Sequence, residues 1–165
     1  MAGRAADEHR QTDHSEDVRI RVNGLVVLDR ALLMVQLMSP VANRLIWMPP
    51  GGGVKFGETL QAAAKREILE ETNLVVDVGP LWYLNEIHSP GIHAVEFYFR
   101  CSLRGGSLET GRDPEYGTDQ QIIRDAAFIP IDELVRPDIH PEYLRSGFAG
   151  DFENESAVLP RFISV

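Results

Sequence analysis

The sequence predicts a mixed α/β fold, a mixed sheet covered by helices, and three observations carry that prediction. Most of the chain reads as strand: Val18 to Leu28, Ala31 to Leu37, Leu74 to Leu84, Ile92 to Leu103 and Gln121 to Ile129 are apolar or alternating runs bounded by turn residues. A single long segment, Thr59 to Thr72, reads as helix in their midst. Short helical turns are expected at Asp132-Glu133-Leu134 and from Pro141 to Ser146. Strands in the majority, with one central helix and short terminal ones, call for a sheet between helical layers.

Taken in order, VRIRVNGLVVL from Val18 alternates and then becomes continuously apolar, as a strand entering a core does. ALLMVQL follows after a short break at Asp29-Arg30, so the two runs are expected to pair as a hairpin. Beyond a loop at Ser39-Pro40 comes a short apolar piece, Leu45-Ile46-Trp47-Met48. The run PPGGG at 49–53 is expected to be a turn-rich loop, neither helix nor regular strand. Ser89-Pro90-Gly91 turns the chain between the next two strands, and Gly105 to Gly117 reads as loop. Trp47, Tyr83 and Phe97 could stack on a base, but each reads first as core.

A chain of 165 residues with 44% apolar content suits one ordinary domain, expected over 18–165. Residues 1–17 are polar, lack the apolar stretch of a secretory signal, and are expected to form a flexible tail carrying His9 and His14. No run approaches the roughly 18 apolar residues of a membrane span, so no membrane partner is expected. A net charge of -9 argues against binding a nucleic-acid polymer. It leaves room for a small phosphorylated ligand received through a metal ion. The lone Cys101 allows no intramolecular disulfide, fits a reducing, cytoplasmic compartment, and reads as a core packer.

The segment REILEETN at 66–73 gathers Glu67, Glu70 and Glu71 at i, i+3 and i+4. Like charges at those spacings destabilise a helix, and anions near its C-terminal end also meet the negative pole of the macrodipole. On a wheel of about 100° per residue, the three acids continue the apolar line of Leu60, Ala63 and Ala64, while Lys65 and Thr72 point to the far face. Partly desolvated carboxylates are costly unless paired or bound. Arg66 offers one positive charge for three negatives, and a hard divalent cation with oxygen ligands would supply the rest. An exposed acidic helix end is the plainer alternative. At the other end, Gly57-Glu58-Thr59 supplies a cap and an acid near the positive pole. Asn73 tolerates the left-handed conformation that closes a helix.

Residues 52–74, GGVKFGETLQAAAKREILEETNL, resemble the box of the Nudix hydrolases, G-x5-E-x7-R-E-U-x-E-E-x-G-U, where U is a bulky aliphatic. Gly52, Glu58, Arg66-Glu67, Ile68, Glu70-Glu71 and Leu74 match, and Asn73 stands where the family has glycine. The segment FIPIDEL at 128–134 is similar to a late family segment, so the likeness extends over roughly 18–146. It implies a Nudix-like α/β/α sandwich with a mixed sheet and a central catalytic helix.

By that resemblance the activity is a Mg²⁺-dependent pyrophosphohydrolase, with Mn²⁺ able to replace Mg²⁺, acting on a nucleoside diphosphate linked to a further moiety. Glu67, Glu70 and Glu71 would hold the metal, with the Gly51 carbonyl as a further ligand. Glu67 or Glu71 would be general base, and Arg66 and Glu58 an ion pair fixing the helix end and loop; helix-terminal charge alone is the alternative for Glu58. Gly52 and Gly53 would let the substrate approach the backbone. A proline sixteen positions beyond the box is associated with ADP-ribose-type members; Pro90 lies there, which favours ADP-ribose or a similar nucleotide sugar.

For a further acid outside the box, the sequence offers Glu115 and Asp119 in the late loop, and Glu96 and Glu86 on strands; Glu96 is expected on an exposed strand face. His88 and His93 flank the Pro90 turn and read as ordinary turn or strand residues. A nucleotide-sensing module without turnover, a nucleoside triphosphate pyrophosphatase and a Cys101-dependent isomerase are the alternatives. Family members often form homodimers.

Overall fold

The structure, a computed structural model, describes residues 17–39, 43–111, 122–154 and 160–163. Among these residues eight strands, β1 (Arg19–Leu28), β2 (Ala31–Ser39), β3 (Arg44–Met48), β4 (Gly51–Gly53), β5 (Leu74–Ser89), β6 (Ile92–Gly106), β7 (Ile123–Pro130) and β8 (Arg161–Phe162), form one mixed sheet. The helices among them are α1 (Leu60–Thr72), α2 (Tyr143–Ser146) and α3 (Phe148–Glu153), and a 3-10 turn spans Ile131–Glu133. The order β3-β2-β1-β6-β5-β8 is mixed because β1 runs parallel to β6 and β5 parallel to β8, the other pairs being antiparallel. Among the described residues no helix is long and apolar enough to cross a membrane.

The predicted hairpin of β1 and β2 is real but short. Only Val27 with Leu32 and Leu28 with Ala31 pair, across a turn in which Asp29 and Arg30 both have positive φ. Beyond those pairs the strands part. β1 continues between β6 and β4, while β2 pairs with β3 and β7. The sheet therefore opens into two wings hinged at that turn, and the space between them is a cleft.

Two expectations are corrected. Gly51–Gly53 is not a loop; it pairs antiparallel with Arg21–Asn23 on the edge of β1. Pairing with a ready-made edge overrides the weak strand propensity of glycine. Thr72 does not face solvent; it is fully buried, and its hydroxyl donates to the Ile68 carbonyl at 2.6 Å. The wheel assumes one packed face. The segment after β6 covers a second, with the amides of Glu109 and Gly111 donating to the carbonyls of Thr72 and Glu71. The β5–β6 hairpin also runs further than expected, and neither α3 nor β8 was anticipated.

The core lies on both sides of the sheet. On one, Ala63, Ala64 and Ile68 of α1 meet Val22, Val26 and Phe99. Gly24 permits this approach, since a Cβ there would run into the end of the Ile68 side chain. Cys101 belongs to this cluster, and burial pushes its thiol up to about 12, so it is a packing residue. On the other side Leu25, Trp82, Tyr83 and Tyr98 meet Leu144 and Phe148 of the terminal helices. Trp47 and Tyr83 are core, as expected, and Phe97 packs at the edge of the α1 cluster.

Candidate active site

Both ends of α1 are set by local chemistry. Thr59 is extended, and its hydroxyl accepts from the Ala62 amide at 3.1 Å. Asn73 takes the left-handed conformation at φ 57°, its amide N–H donates to the Leu69 carbonyl, and its side chain donates to the Ser107 carbonyl at 3.1 Å. Asparagine thus does the work of the glycine it replaces.

Between those ends lies a charge cluster centred on Arg66. Its Nε and Nη2 donate to Glu58 Oε1 and Oε2 at 2.7 and 2.9 Å, a two-pronged pair. Nη1 reaches Glu67 Oε1 at 2.6 Å and Glu70 Oε2 at 3.2 Å, and Nη2 also donates to the Gly53 carbonyl at 3.1 Å. Glu58 accepts in addition from the Lys55 amide. These bonds, Arg66 first, hold the Glu58 carboxyl down at about 2. Hydrogen bonding to Glu58, and then to Glu67, pushes the guanidinium well above its ordinary range. Glu58 is therefore a partner of Arg66 and of the loop before α1.

Glu67 and Glu71 are buried, 5% and 3% exposed, on the face that α1 turns toward β4, as the wheel placed them. Glu71 Oε2 accepts from the Gly51 amide at 2.9 Å. Gly52 is the tightest point: a Cβ there would lie 2.5 Å from the Glu67 carboxyl carbon and 2.6 Å from both its oxygens. Only glycine lets that carboxylate rest on the strand. Lys65 points outward, as expected, and pairs with Asp77. Among the described residues no three acidic, histidine or cysteine side chains are drawn together into a cation cage. Arg66 spans Glu67 and Glu70, while Glu71 is turned to the strand amide.

Not every candidate joins this cluster. Pro90 is exposed at the tip of the β5–β6 hairpin. His93 contacts Glu86 at 2.9 Å on the exposed flank of the same hairpin, and His88 packs edge-on against His93. Glu115 and Asp119 lie outside the described residues.

Glu96 corrects an expectation. It is 3% exposed, not on a solvent face. Its Oε2 accepts from Asn85 Nδ2 at 3.0 Å and Tyr98 Oη at 2.7 Å, and its Oε1 is 3.5 Å from Arg21 Nε. Three strands supply these partners, so only the register reveals them: Arg21 and Asn85 both stand opposite Glu96. The i, i+2 spacing of Glu96 and Tyr98 was the one signal the sequence held. Beside this group Asn23, in register with Gly51, is fully buried, and its side-chain amide finds no hydrogen-bond partner among the described residues.

The sheet order, the helix under the glycine strand and the Arg66 cluster define a class. The model of the NUDIX domain matches residues 18–147, and the chain belongs to the Nudix hydrolase family. It is similar to an ADP-ribose pyrophosphatase of Methanocaldococcus jannaschii, 31% identical over 96 residues, which are 57% of this chain and 56% of that protein. It is also similar to a putative nudix hydrolase 1 of Caenorhabditis elegans, 39% identical over 87 residues, 53% of this chain and 23% of the relative. The matched region thus spans about half of the first relative and a quarter of the second. The fold is shared with a NUDIX hydrolase from Nitrosomonas europaea, at a TM-score of 0.68 and 20% identity, covering 84% of this chain and 90% of that one.

Proposed function

We propose that the chain hydrolyses the diphosphate of a nucleoside diphosphate derivative in a Mg²⁺-dependent reaction, with ADP-ribose or a similar nucleotide sugar favoured. The observation that carries this reading is the Glu67 carboxylate, buried against the bare backbone of Gly52 and touched by Arg66. The name of the M. jannaschii relative supports the substrate class.

The donor set suits magnesium. Carboxylate and carbonyl oxygens are its hard ligands, and Glu67, Glu70 and Glu71, with the Gly51 carbonyl, would hold it. When bound, magnesium supplies positive charge against the diphosphate oxygens and acidifies water. The chain's own groups do the rest. Glu67 or Glu71 accepts the proton of the attacking water on a carboxylate oxygen. Arg66, fixed by Glu58, holds the carboxylates of Glu67 and Glu70 in place. Gly52, without a side chain, lets the Glu67 carboxylate rest on the strand, and Gly53 would let the diphosphate approach it. Water adds to one phosphorus and the bridging oxygen leaves with the other, so ADP-ribose would give AMP and ribose 5-phosphate.

The test is a panel of ADP-ribose, UDP-sugars and nucleoside triphosphates with Mg²⁺, scored for mononucleotide release. Release of AMP from ADP-ribose supports the reading. Silence across the panel would point to a sensing module on the same fold.

A further inference from the structure

The last turn of α1 carries two acids, Glu70 and Glu71, at the end of the helix where the macrodipole is negative. The final carbonyls of a helix also have no partner within it. Both conditions oppose keeping anions there, and the chain that leaves β6 answers them. Gly106, at φ 92°, turns it against the Asn73 carbonyl. The Ser107 carbonyl then accepts from the Asn73 side chain at 3.1 Å, the Glu109 amide donates to the Thr72 carbonyl at 3.1 Å, and the Gly111 amide donates to the Glu71 carbonyl at 2.7 Å. Residues 106–111 thus lie as a strap across the end of α1. Residues 107–110 are themselves exposed, so the strap is held there by hydrogen bonds to the helix end and not by a share in the core.

Gly111 is where strap and helix come closest. A Cβ there would run into the Glu70 carbonyl oxygen and lie 2.5 Å from the carbonyl carbon and 2.7 Å from the Cα of Glu71. These are main-chain atoms, which cannot swing aside as the end of a side chain can. The peptide they belong to also carries both carboxylates. Glu70 meets Arg66 at 3.2 Å, and Glu71 accepts from the Gly51 amide at 2.9 Å. A shift of that peptide displaces the two acids together.

Resting on the reading that the acids of α1 hold a divalent cation, we propose that the strap at 106–111 positions Glu70 and Glu71 for it, with Gly111 as the positioning residue. Contact with the Glu70–Glu71 main chain fixes the points from which the two side chains set out. The amides of Glu109 and Gly111, brought to the negative pole of the helix, offset the carbonyl charge that opposes carboxylates there. Gly111 acts through the peptide it lies on, not on the cation or the substrate. Docking and binding are then linked: a docked strap that raises cation affinity must itself be held more firmly, by the same factor, when the cation is bound.

Two alanine variants test this without turnover. Gly111→Ala forces strap and helix end apart. Gly105→Ala makes the same change on β6, where a Cβ would meet nothing within 4 Å. Binding of Mn²⁺ to the substrate-free protein, read from the spin-resonance signal of the free ion, is expected to weaken about tenfold or more in Gly111→Ala and to stay within about twofold of the wild type in Gly105→Ala. Should Gly111→Ala fail to fold, the wild type supplies a second measurement. Hydrogen exchange at the Glu109 and Gly111 amides is expected to slow about tenfold at saturating Mg²⁺. The amide of Ile163, in the cluster on the other side of the sheet, is expected not to change. An equal loss of affinity in both variants, or strap amides whose exchange ignores Mg²⁺, would overturn the proposal. A wild type that binds no Mn²⁺ refutes the metal reading and takes the role of the strap with it. Equal Mn²⁺ affinity in all three proteins refutes the strap alone.

Discussion

Arg66 grips Glu58 through two parallel hydrogen bonds, Nε to Oε1 at 2.7 Å and Nη2 to Oε2 at 2.9 Å, and rests the same guanidinium on Glu67 and Glu70. A planar fork is needed for this, and lysine has none. Arg66→Lys is expected to fold while losing activity by about tenfold or more, through a displaced Glu67. Arg66→Leu leaves buried carboxylate without that partner and should destabilise by roughly 3 kcal/mol. Urea unfolding alongside turnover separates the two effects.

The same pair gives a pH signature. Glu58 is held at about 2, against an ordinary 4.5, by Arg66 and the Lys55 amide. Between those values the unfolded chain binds the proton and the folded chain does not, so stability rises with pH across the window. It is fully present above about 4.5 and lost as pH falls toward 2. Glu58→Gln is expected to flatten that part of the profile of unfolding free energy against pH. An unchanged slope would mean that other carboxylates set it.

Gly52→Ala places a methyl group where the Glu67 carboxylate lies. The obstruction is the far end of a side chain, so the fold should survive with a melting temperature within a few degrees. Misplacing a reacting group by about 1 Å can cost on the order of a hundredfold, and a loss of that order in kcat is expected. Circular dichroism melting and single-substrate kinetics check the pair of outcomes.

At the end of α1, Asn73 holds φ at 57° and donates to Ser107. Asn73→Gly should be close to neutral, trading that hydrogen bond for relief of the left-handed strain. Asn73→Ala keeps the strain and loses the bond, and should cost about 1–2 kcal/mol. Equal stability of the two variants in chemical denaturation would contradict this account of the cap.

Buried Asn23 offers a contrast between stability and function. A buried amide without a partner costs about 1–3 kcal/mol, and Asn23 has none among the described residues. Asn23→Leu, of similar size, is expected to stabilise the fold by about 1 kcal/mol and to lower turnover, because Asn23 lies beside the glycine strand that carries Gly51.

Much of this was legible in the chain because it is local. The spacing of Glu58, Arg66, Glu67, Glu70 and Glu71 places the first in the loop before α1 and the others on the helix, and the Thr59 and Asn73 caps follow from residue type. What the sequence concealed was pairing between distant segments. Gly51–Gly53 became a strand because β1 offered it an edge. Thr72 was buried by the segment after β6. Glu96 looked like an exposed acid until the register set Asn85 and Arg21 opposite it. Alternation tells which residues share a face, but not whether that face meets solvent or another wing of the sheet.

The central claim is that the acids of α1 support metal-dependent cleavage of a diphosphate. It is tested most directly by AMP release from ADP-ribose, with Mg²⁺ and with chelator, in the wild type and in Glu70→Gln. Glu70 is the most exposed of the three acids, so the variant should keep the fold. The account predicts release in the wild type with Mg²⁺ only, and a rate lower by orders of magnitude in Glu70→Gln. Full activity in the variant, or activity that persists in chelator, would contradict it.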